Sequence, residues 1–162
     1  LDNSEVSETS IKSNDAFITP LKGKVVSLEN VKDETFASGI MGQGLAIIPT
    51  EGTLVSPVNG IVTVLYPTLH AIGLTAADGK EILIHIGMDT VELNGRYFKA
   101  HVQANDTIQA GQKLITFDII GIQSQGYDLT TPVIITNSSE YDTIKAVSNT
   151  DIDFGSSLLT IE

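Results

Sequence analysis

From Ala16 onward the chain reads as short β-branched and apolar runs cut by Gly, Pro, Asn and Asp. The runs predict strands at Lys24–Leu28, Leu45–Ile48, Gly60–Leu65, Ala71–Thr75, Glu81–Ile86, Thr107–Ile108, Lys113–Asp118, Val133–Thr136 and Leu158–Ile161. Many short strands with turn signals every ~8–12 residues indicate an all-β sandwich or barrel. Helical periodicity is nearly absent, and only Asp118–Gln125 and Val31–Phe36 suit a single turn. Residues 1–15 have a different texture. Ser and Thr alternate with acidic residues, with little apolar surface to offset ordering entropy. A disordered acidic tail or linker is expected there, followed by one β domain over 16–162.

A weak internal echo links Ile18-Thr-Pro-Leu-Lys-Gly-Lys-Val-Val to Val55-Ser-Pro-Val-Asn-Gly-Ile-Val-Thr. Proline suits a strand start, and the following glycine suits a tight turn. A recurrent way of turning into a strand explains the echo; duplication of a half-barrel is the sharper alternative.

The strand Glu81–Ile86 alternates clearly. Ile82, Ile84 and Ile86 share a core face, so Glu81, Leu83 and His85 share the other. Asp78-Gly79 upstream is a strong two-residue hairpin signal. That turn sets Ala77 opposite Lys80, His85 opposite Ile72 and His70 opposite Gly87. His70 and His85 then become diagonal neighbours on one face. Thr68 and Tyr66 follow by parity. A three-residue loop would slip the register and separate the rings.

Composition narrows what such a pair could do. With 9 basic and 20 acidic residues the net charge is −11, which disfavours nucleic acid and anionic membrane as partners. There is no cysteine, excluding disulfides, thiolate catalysis and Cys-type zinc sites. No apolar run approaches the ~18–20 residues of a membrane span, and no basic-then-apolar leader is visible. A soluble cytoplasmic domain is expected. Three readings of the histidine pair remain open: unrelated strand histidines, a zinc site needing a third ligand, or a nucleophile with a charge-stabilising companion. No G-x-S-x-G occurs, and Gly39-x-x-Gly42-x-Gly44 lacks the lysine of a phosphate loop.

Pro67-Thr-Leu-His70-Ala-Ile-Gly-Leu and Glu81-Ile-Leu-Ile-His85-Ile-Gly-Met-Asp89-Thr-Val-Glu-Leu-Asn-Gly95 make the third reading specific. Together they resemble the glucose-family enzyme IIA domain of the bacterial phosphoenolpyruvate:sugar phosphotransferase system. The resemblance extends over about residues 17–162, through Ala37–Gly44, Val55–Gly60, Ala110-Gly-Gln-Lys-Leu and Leu129-Thr-Thr-Pro-Val. It implies an antiparallel β-sandwich or barrel with Greek-key-like connections, at most short helical turns, and a shallow active-site depression. By motif position, His85 would accept a phosphoryl group from the carrier protein HPr and pass it to a cysteine of a IIB domain. His70 would be its companion, with Thr68 hydrogen-bonded to it. Asp33 and Asp89 would border the site, and Ile40, Met41, Tyr66 and Leu83 would form an apolar docking patch. No cofactor or metal is needed, because the donor is already a phosphohistidine. Arg96-Tyr97-Phe98 departs from the family, which has Gly at the middle position, and a different local backbone is expected. His101 matches no family motif and reads as a surface histidine.

The resemblance implies a phosphotransferase component with protein substrates, free or tethered to a membrane sugar permease. The alternatives are a phosphorylatable regulatory domain acting on a sugar carrier, and a zinc-dependent hydrolase on a related scaffold.

Overall fold

The structure is a computed structural model that describes residues 17–147 and 150–162. The tail expected at 1–15 lies outside the described residues.

Strands β1 (Gly23–Ser27), β2 (Gln43–Pro49), β4 (Gly60–Leu65), β5 (Ala71–Ala76), β6 (Glu81–His85), β8 (Thr107–Ile108), β10 (Thr131–Ile135) and β12 (Asp151–Ile152) form one sheet. Their spatial order is β12-β1-β2-β10-β6-β5-β4-β8, every pair antiparallel. β3 (Thr53–Val55), β9 (Lys113–Phe117) and β7 (Phe98–Ala100) form a second sheet; β11 (Ile144–Ala146) pairs with β13 (Leu159–Ile161). After the β4–β5–β6 meander the chain crosses to the second sheet as β7, comes back to set β8 beside β4, crosses again as β9 and returns as β10 beside β6. The two helices are one-turn pieces, α1 (Glu34–Ala37) and α2 (Ile119–Ser124). The expected antiparallel sandwich is observed.

The main core lies between the sheets. Val25, Ile47, Ile72, Leu74, Ile82, Ile84 and Val133 from the large sheet meet Leu54, Leu114, Ile115 and Phe117 from the small one. A second, smaller apolar cluster sits on the outer face of the large sheet. It joins Leu28, Val31, Phe36, Ala46, Met88 and Ile134, with Met41 and Leu83 at its margin. The segment 28–37 supplies this cover. Asp33 makes it turn: its Oδ1 accepts from the Thr35 amide, capping α1 and directing Phe36 inward.

The sequence echo corresponds to one device used twice. Thr19 and Ser56 are buried, and each hydroxyl donates to the carbonyl two residues on, at 2.6 Å. The copies also pair with each other: Ile18 N–H donates to Pro57 O, and Val55 N–H to Pro20 O. Gly23 and Gly60, which begin β1 and β4, both lie where a Cβ would strike a neighbouring carbonyl at 2.1 Å.

One register expectation fails. The β5–β6 hairpin pairs Ala71 with His85, Ile72 with Ile84 and Thr75 with Glu81, one residue off the two-residue turn. Ala76 N–H donates to Lys80 O, enclosing the three-residue loop Ala77-Asp78-Gly79, with Gly79 at φ +98°. A Gly in that conformation closes a three-residue hairpin as readily as a two-residue one. Asn137 fastens the loop, donating to Gly79 O and accepting from Glu81 N–H. Asp78 also pairs with the buried Lys80.

Candidate functional site

The slipped register leaves His85 on the outer face, as alternation required, but opposite Ala71 instead of Ile72. Small residues at Ala71 and Gly73, opposite His85 and Leu83, leave space on that face. A groove of about 420 Å³ opens there, lined by Met41, Val64, Tyr66, Gly73 and Leu83 among others.

Strict pleating in this register would send His70 to the opposite face from His85. Nevertheless the two rings meet, with centroids 4.9 Å apart and planes at 84°. His70 lies outside β5, in the connection from β4, where pleat alternation no longer governs side-chain direction. Leu69 adopts φ +62° and its amide donates to Tyr66 O, curling that connection. Ile86 N–H then donates to His70 O, tying the curled segment to the end of β6. The adjacency is therefore made by a loop, not by hairpin register.

Each ring has a defined second contact. Thr68 Oγ1 lies 2.7 Å from His70 Nδ1. His85 Nδ1 lies 2.7 Å from Gly87 O. A carbonyl only accepts, so the His85 proton resides on Nδ1 and the lone pair of the neutral ring on Nε2. Phe36 packs against His85 with ring centroids 5.0 Å apart, and Tyr66 meets His70 edge-on at 5.5 Å.

Electrostatics keep both rings neutral. His70 is 5 % exposed; burial, followed by proximity to His85, lowers its pKa to about 4. Burial also lowers that of His85, opposed by the Gly87 carbonyl and by the Asp33 and Asp89 carboxylates. A neutral His85 exposes a nucleophilic nitrogen near neutral pH. A neutral His70 can donate from Nε2 when the Thr68 hydroxyl donates to its Nδ1. The pair thus combines a nucleophile with a hydrogen-bond donor beside it.

Asp33 and Asp89 both lie close enough to His85 to raise its pKa, and they line one depression with Lys32, Glu34 and Met88. Ile40 is 80 % exposed, and Tyr66, Met41 and Leu83 are partly exposed around the groove. His101 is exposed just after β7, with Nε2 2.9 Å from Thr116 Oγ1. Among the described residues no three His, Cys, Asp or Glu side chains converge on a point where a metal could bind. Two contributors were not singled out from the sequence: Phe36, placed three residues after its capping Asp33, and Gly87, whose φ of +80° aims its carbonyl. An Asp N-cap before an apolar residue, and a glycine two residues after His85, were the available signals.

The family model for the EIIA 1 component of the phosphoenolpyruvate-dependent sugar phosphotransferase system matches residues 15–141. The chain belongs to this family. It is 49 % identical over 140 residues to a β-glucoside-specific EIIBCA component of Dickeya chrysanthemi, covering 86 % of this chain and 22 % of that one. This chain thus spans about a fifth of the length of such multidomain relatives. It is 44 % identical over 133 residues to a glucose-specific EIIA component of Bacillus cereus, covering 82 % and 81 % respectively. The solved glucose permease IIA of Mycoplasma capricolum superposes with a TM-score of 0.82 at 32 % identity, covering 89 % and 93 %. At Arg96-Tyr97-Phe98, where a different local backbone is expected, Tyr97 adopts φ +79°, in the left-handed region that favours glycine. Its ring lies where a Cβ on Gly121 would collide at 2.5 Å, and the Arg96 guanidinium stacks 4.7 Å above it. No helix among the described residues is long and apolar enough to cross a membrane.

Proposed function

We propose that this EIIA domain relays a phosphoryl group through His85 Nε2, taking it from phospho-HPr and giving it to a cysteine of a IIB domain. The observation that carries the reading is the His85 Nδ1–H bond to Gly87 O, which leaves Nε2 as the lone-pair nitrogen beside His70. In the first step the Nε2 lone pair forms the new N–P bond as the donor's N–P bond breaks, its electrons returning to the donor imidazole. In the second, a thiolate forms an S–P bond and the electrons of the Nε2–P bond return to His85. Positioning and charge stabilisation dominate such transfers. His70 Nε2–H, oriented through Thr68, supplies a donor to the phosphoryl oxygens. Ile40, Met41, Tyr66 and Leu83 would give an apolar docking patch, and Asp33 and Asp89 an acidic rim suited to a basic partner. The multidomain relatives support a covalent link to IIB and membrane IIC portions.

The test is transfer from labelled phosphoenolpyruvate through enzyme I and HPr, followed by mapping of the acid-labile label. Label on His85, chased to a IIB cysteine, is the expected result. Label on any other residue overturns the reading.

A further inference from the structure

What decides which nitrogen of His85 attacks is the Gly87–Met88 peptide. Its carbonyl accepts from His85 Nδ1 at 2.7 Å, while its own N–H, on Met88, donates to Asp128 O at 2.8 Å. In a trans peptide the C=O and N–H point in opposite directions. Pinning the N–H on Asp128 therefore points the carbonyl at the imidazole. The three groups form a hydrogen-bonded chain, Asp128 C=O to Met88 N–H, Gly87 C=O to His85 Nδ1–H, in which each bond polarises the next.

Two side chains hold this peptide in place. Thr90 is fully buried and its hydroxyl donates back to Ile86 O, closing the loop between His85 and the following 3₁₀ turn. Asp128 Oδ1 accepts from both the amide and the hydroxyl of Thr130, fixing the turn that presents the Asp128 carbonyl. The fit is tight from both sides: a Cβ at position 87 would stand 2.7 Å from Thr90 Cγ2 and 2.9 Å from Asp128 O. An unconstrained neutral histidine side chain favours its proton on Nε2, so this loop must override the intrinsic preference.

We infer that Thr90 and Asp128 are positioning residues which, through the Gly87–Met88 peptide, lock His85 in the Nδ1–H tautomer and so select Nε2 as the attacking atom. Neither touches the moving phosphoryl group. The inference rests on the assignment of His85 as acceptor only for its consequence in transfer; the tautomer is measurable without any donor.

The test uses the full, unphosphorylated chain labelled with ¹⁵N, observed by long-range proton–nitrogen correlation of the imidazole. In the wild type, His85 Nδ1 shows the shift of a protonated nitrogen and Nε2 that of a lone-pair nitrogen. Thr90→Val preserves shape but removes the hydroxyl, and both nitrogens move toward averaged shifts. Thr90→Ser restores the wild-type pattern. Asp128→Ala, which keeps the backbone carbonyl but frees its turn, moves the shifts in the same direction. Loss of one such hydrogen bond corresponds to a roughly three- to tenfold change in the tautomer ratio, and the labelling rate falls in proportion to the population of the Nδ1–H form. A wild-type His85 protonated on Nε2 overturns the inference, as do unchanged shifts in folded Thr90→Val and Asp128→Ala. Equal disturbance by Thr90→Ser and Thr90→Val also overturns it, by assigning the effect to packing. If Thr90→Val does not fold, the wild-type shifts and Asp128→Ala decide. A His85 that responds as stated but takes no label leaves the clamp standing and removes the acceptor assignment. One that takes label with unchanged shifts removes the clamp alone.

Discussion

His70 sits in the connection between β4 and β5 and hydrogen-bonds to a side-chain hydroxyl, whereas His85 ends β6 and hydrogen-bonds to a backbone carbonyl. The two anchors differ in what they permit. A carbonyl accepts only, so His85 has one neutral tautomer available while that bond is kept. A hydroxyl rotates between donating and accepting, so His70 can present Nε2–H to an anion or yield to a different proton arrangement. Their surroundings differ in the same sense. His85 is in ring contact with both Phe36 and His70 at the margin of the outer cluster, and His70 is nearly closed off from solvent. His85 is held by the main chain, and His70 is held by an adjustable partner.

The strongest break in this comparison removes the fixed ring. His85→Ala is expected to abolish labelling from HPr while the domain stays folded, since Ile82, Ile84 and Ile86 on the opposite face are untouched. Rapid-quench labelling with a parallel thermal melt checks both halves. Full labelling of a folded His85→Ala would end the assignment. Replacing the adjustable ring should act differently. His70→Gln keeps a donor with altered reach, so it should still accept phosphate, while transfer to IIB slows by ~10²–10³, the usual worth of an oxyanion-type donor. Thr68→Val should fall between His70→Gln and wild type, because it removes only the orienting hydroxyl. If His70→Gln cannot be labelled while His85→Gln can, the roles are exchanged.

How much of this was legible beforehand depended on whether a residue's direction was set by alternation. Gly60–Leu65 and Thr107–Ile108 emerge with the boundaries their patterns indicate, and most other runs shift by a residue or two. Alternation also placed His85 outward correctly. It could not place His70, because that residue lies in a loop whose path is set by the left-handed Leu69. The hairpin turn misled as well: Asp-Gly serves two-residue and three-residue loops alike, and the choice was made by the Ala76–Lys80 closure and the Asn137 staple. β3, β7, β11 and β12, each two or three residues long, were missed while the equally short β8 and β13 were found: runs of this length carry no periodicity, so alternation separates neither group from loop. The family motifs carried the histidine pair where local geometry gave the wrong route to it. The outer cluster under segment 28–37 depends on contacts far apart in sequence and had no local signal beyond the Asp33 cap.

A smaller effect tests the neutrality of the companion. The His70 pKa is lowered to about 4 in the fold from the 6.5 of an ordinary histidine, chiefly by burial. Between those values the unfolded chain binds a proton that the native state does not, so stability falls as pH drops from 6.5 toward 4. The loss is on the order of 3 kcal/mol across that window, and His85, shifted the same way, adds to it. Urea titrations at pH 7 and pH 4.5 measure the difference, and His70→Gln should flatten it. An equal slope in His70→Gln and wild type would show that His70 is not held neutral by burial.

The smallest expected effect concerns the rim on the His85 side. Asp33 is committed locally, one oxygen capping α1, yet its charge and that of Asp89 both reach His85. Against a net charge of −11, removing one carboxylate changes the overall field little, so its effect must come from proximity. Exposed ion pairs are worth ~0.2–1 kcal/mol, which corresponds to about 1.5- to fivefold in association. Asp89→Asn should therefore slow encounter with HPr by a few-fold, and raising salt should do the same to wild type, because partners beyond ~8–10 Å are screened. Asp33→Asn should slow it similarly without melting α1, since Asn also caps helices. The discriminating observation is the interaction between the two manipulations. If the carboxylates steer, the variants lose part of the salt dependence along with the rate, and the transfer step measured at saturating HPr is unchanged. If the carboxylates act instead by tuning His85, the variants slow at saturation, their pH profile shifts to lower pH, and salt dependence of association stays as in wild type. Stopped-flow transfer at several HPr concentrations, at low and high salt, separates the two.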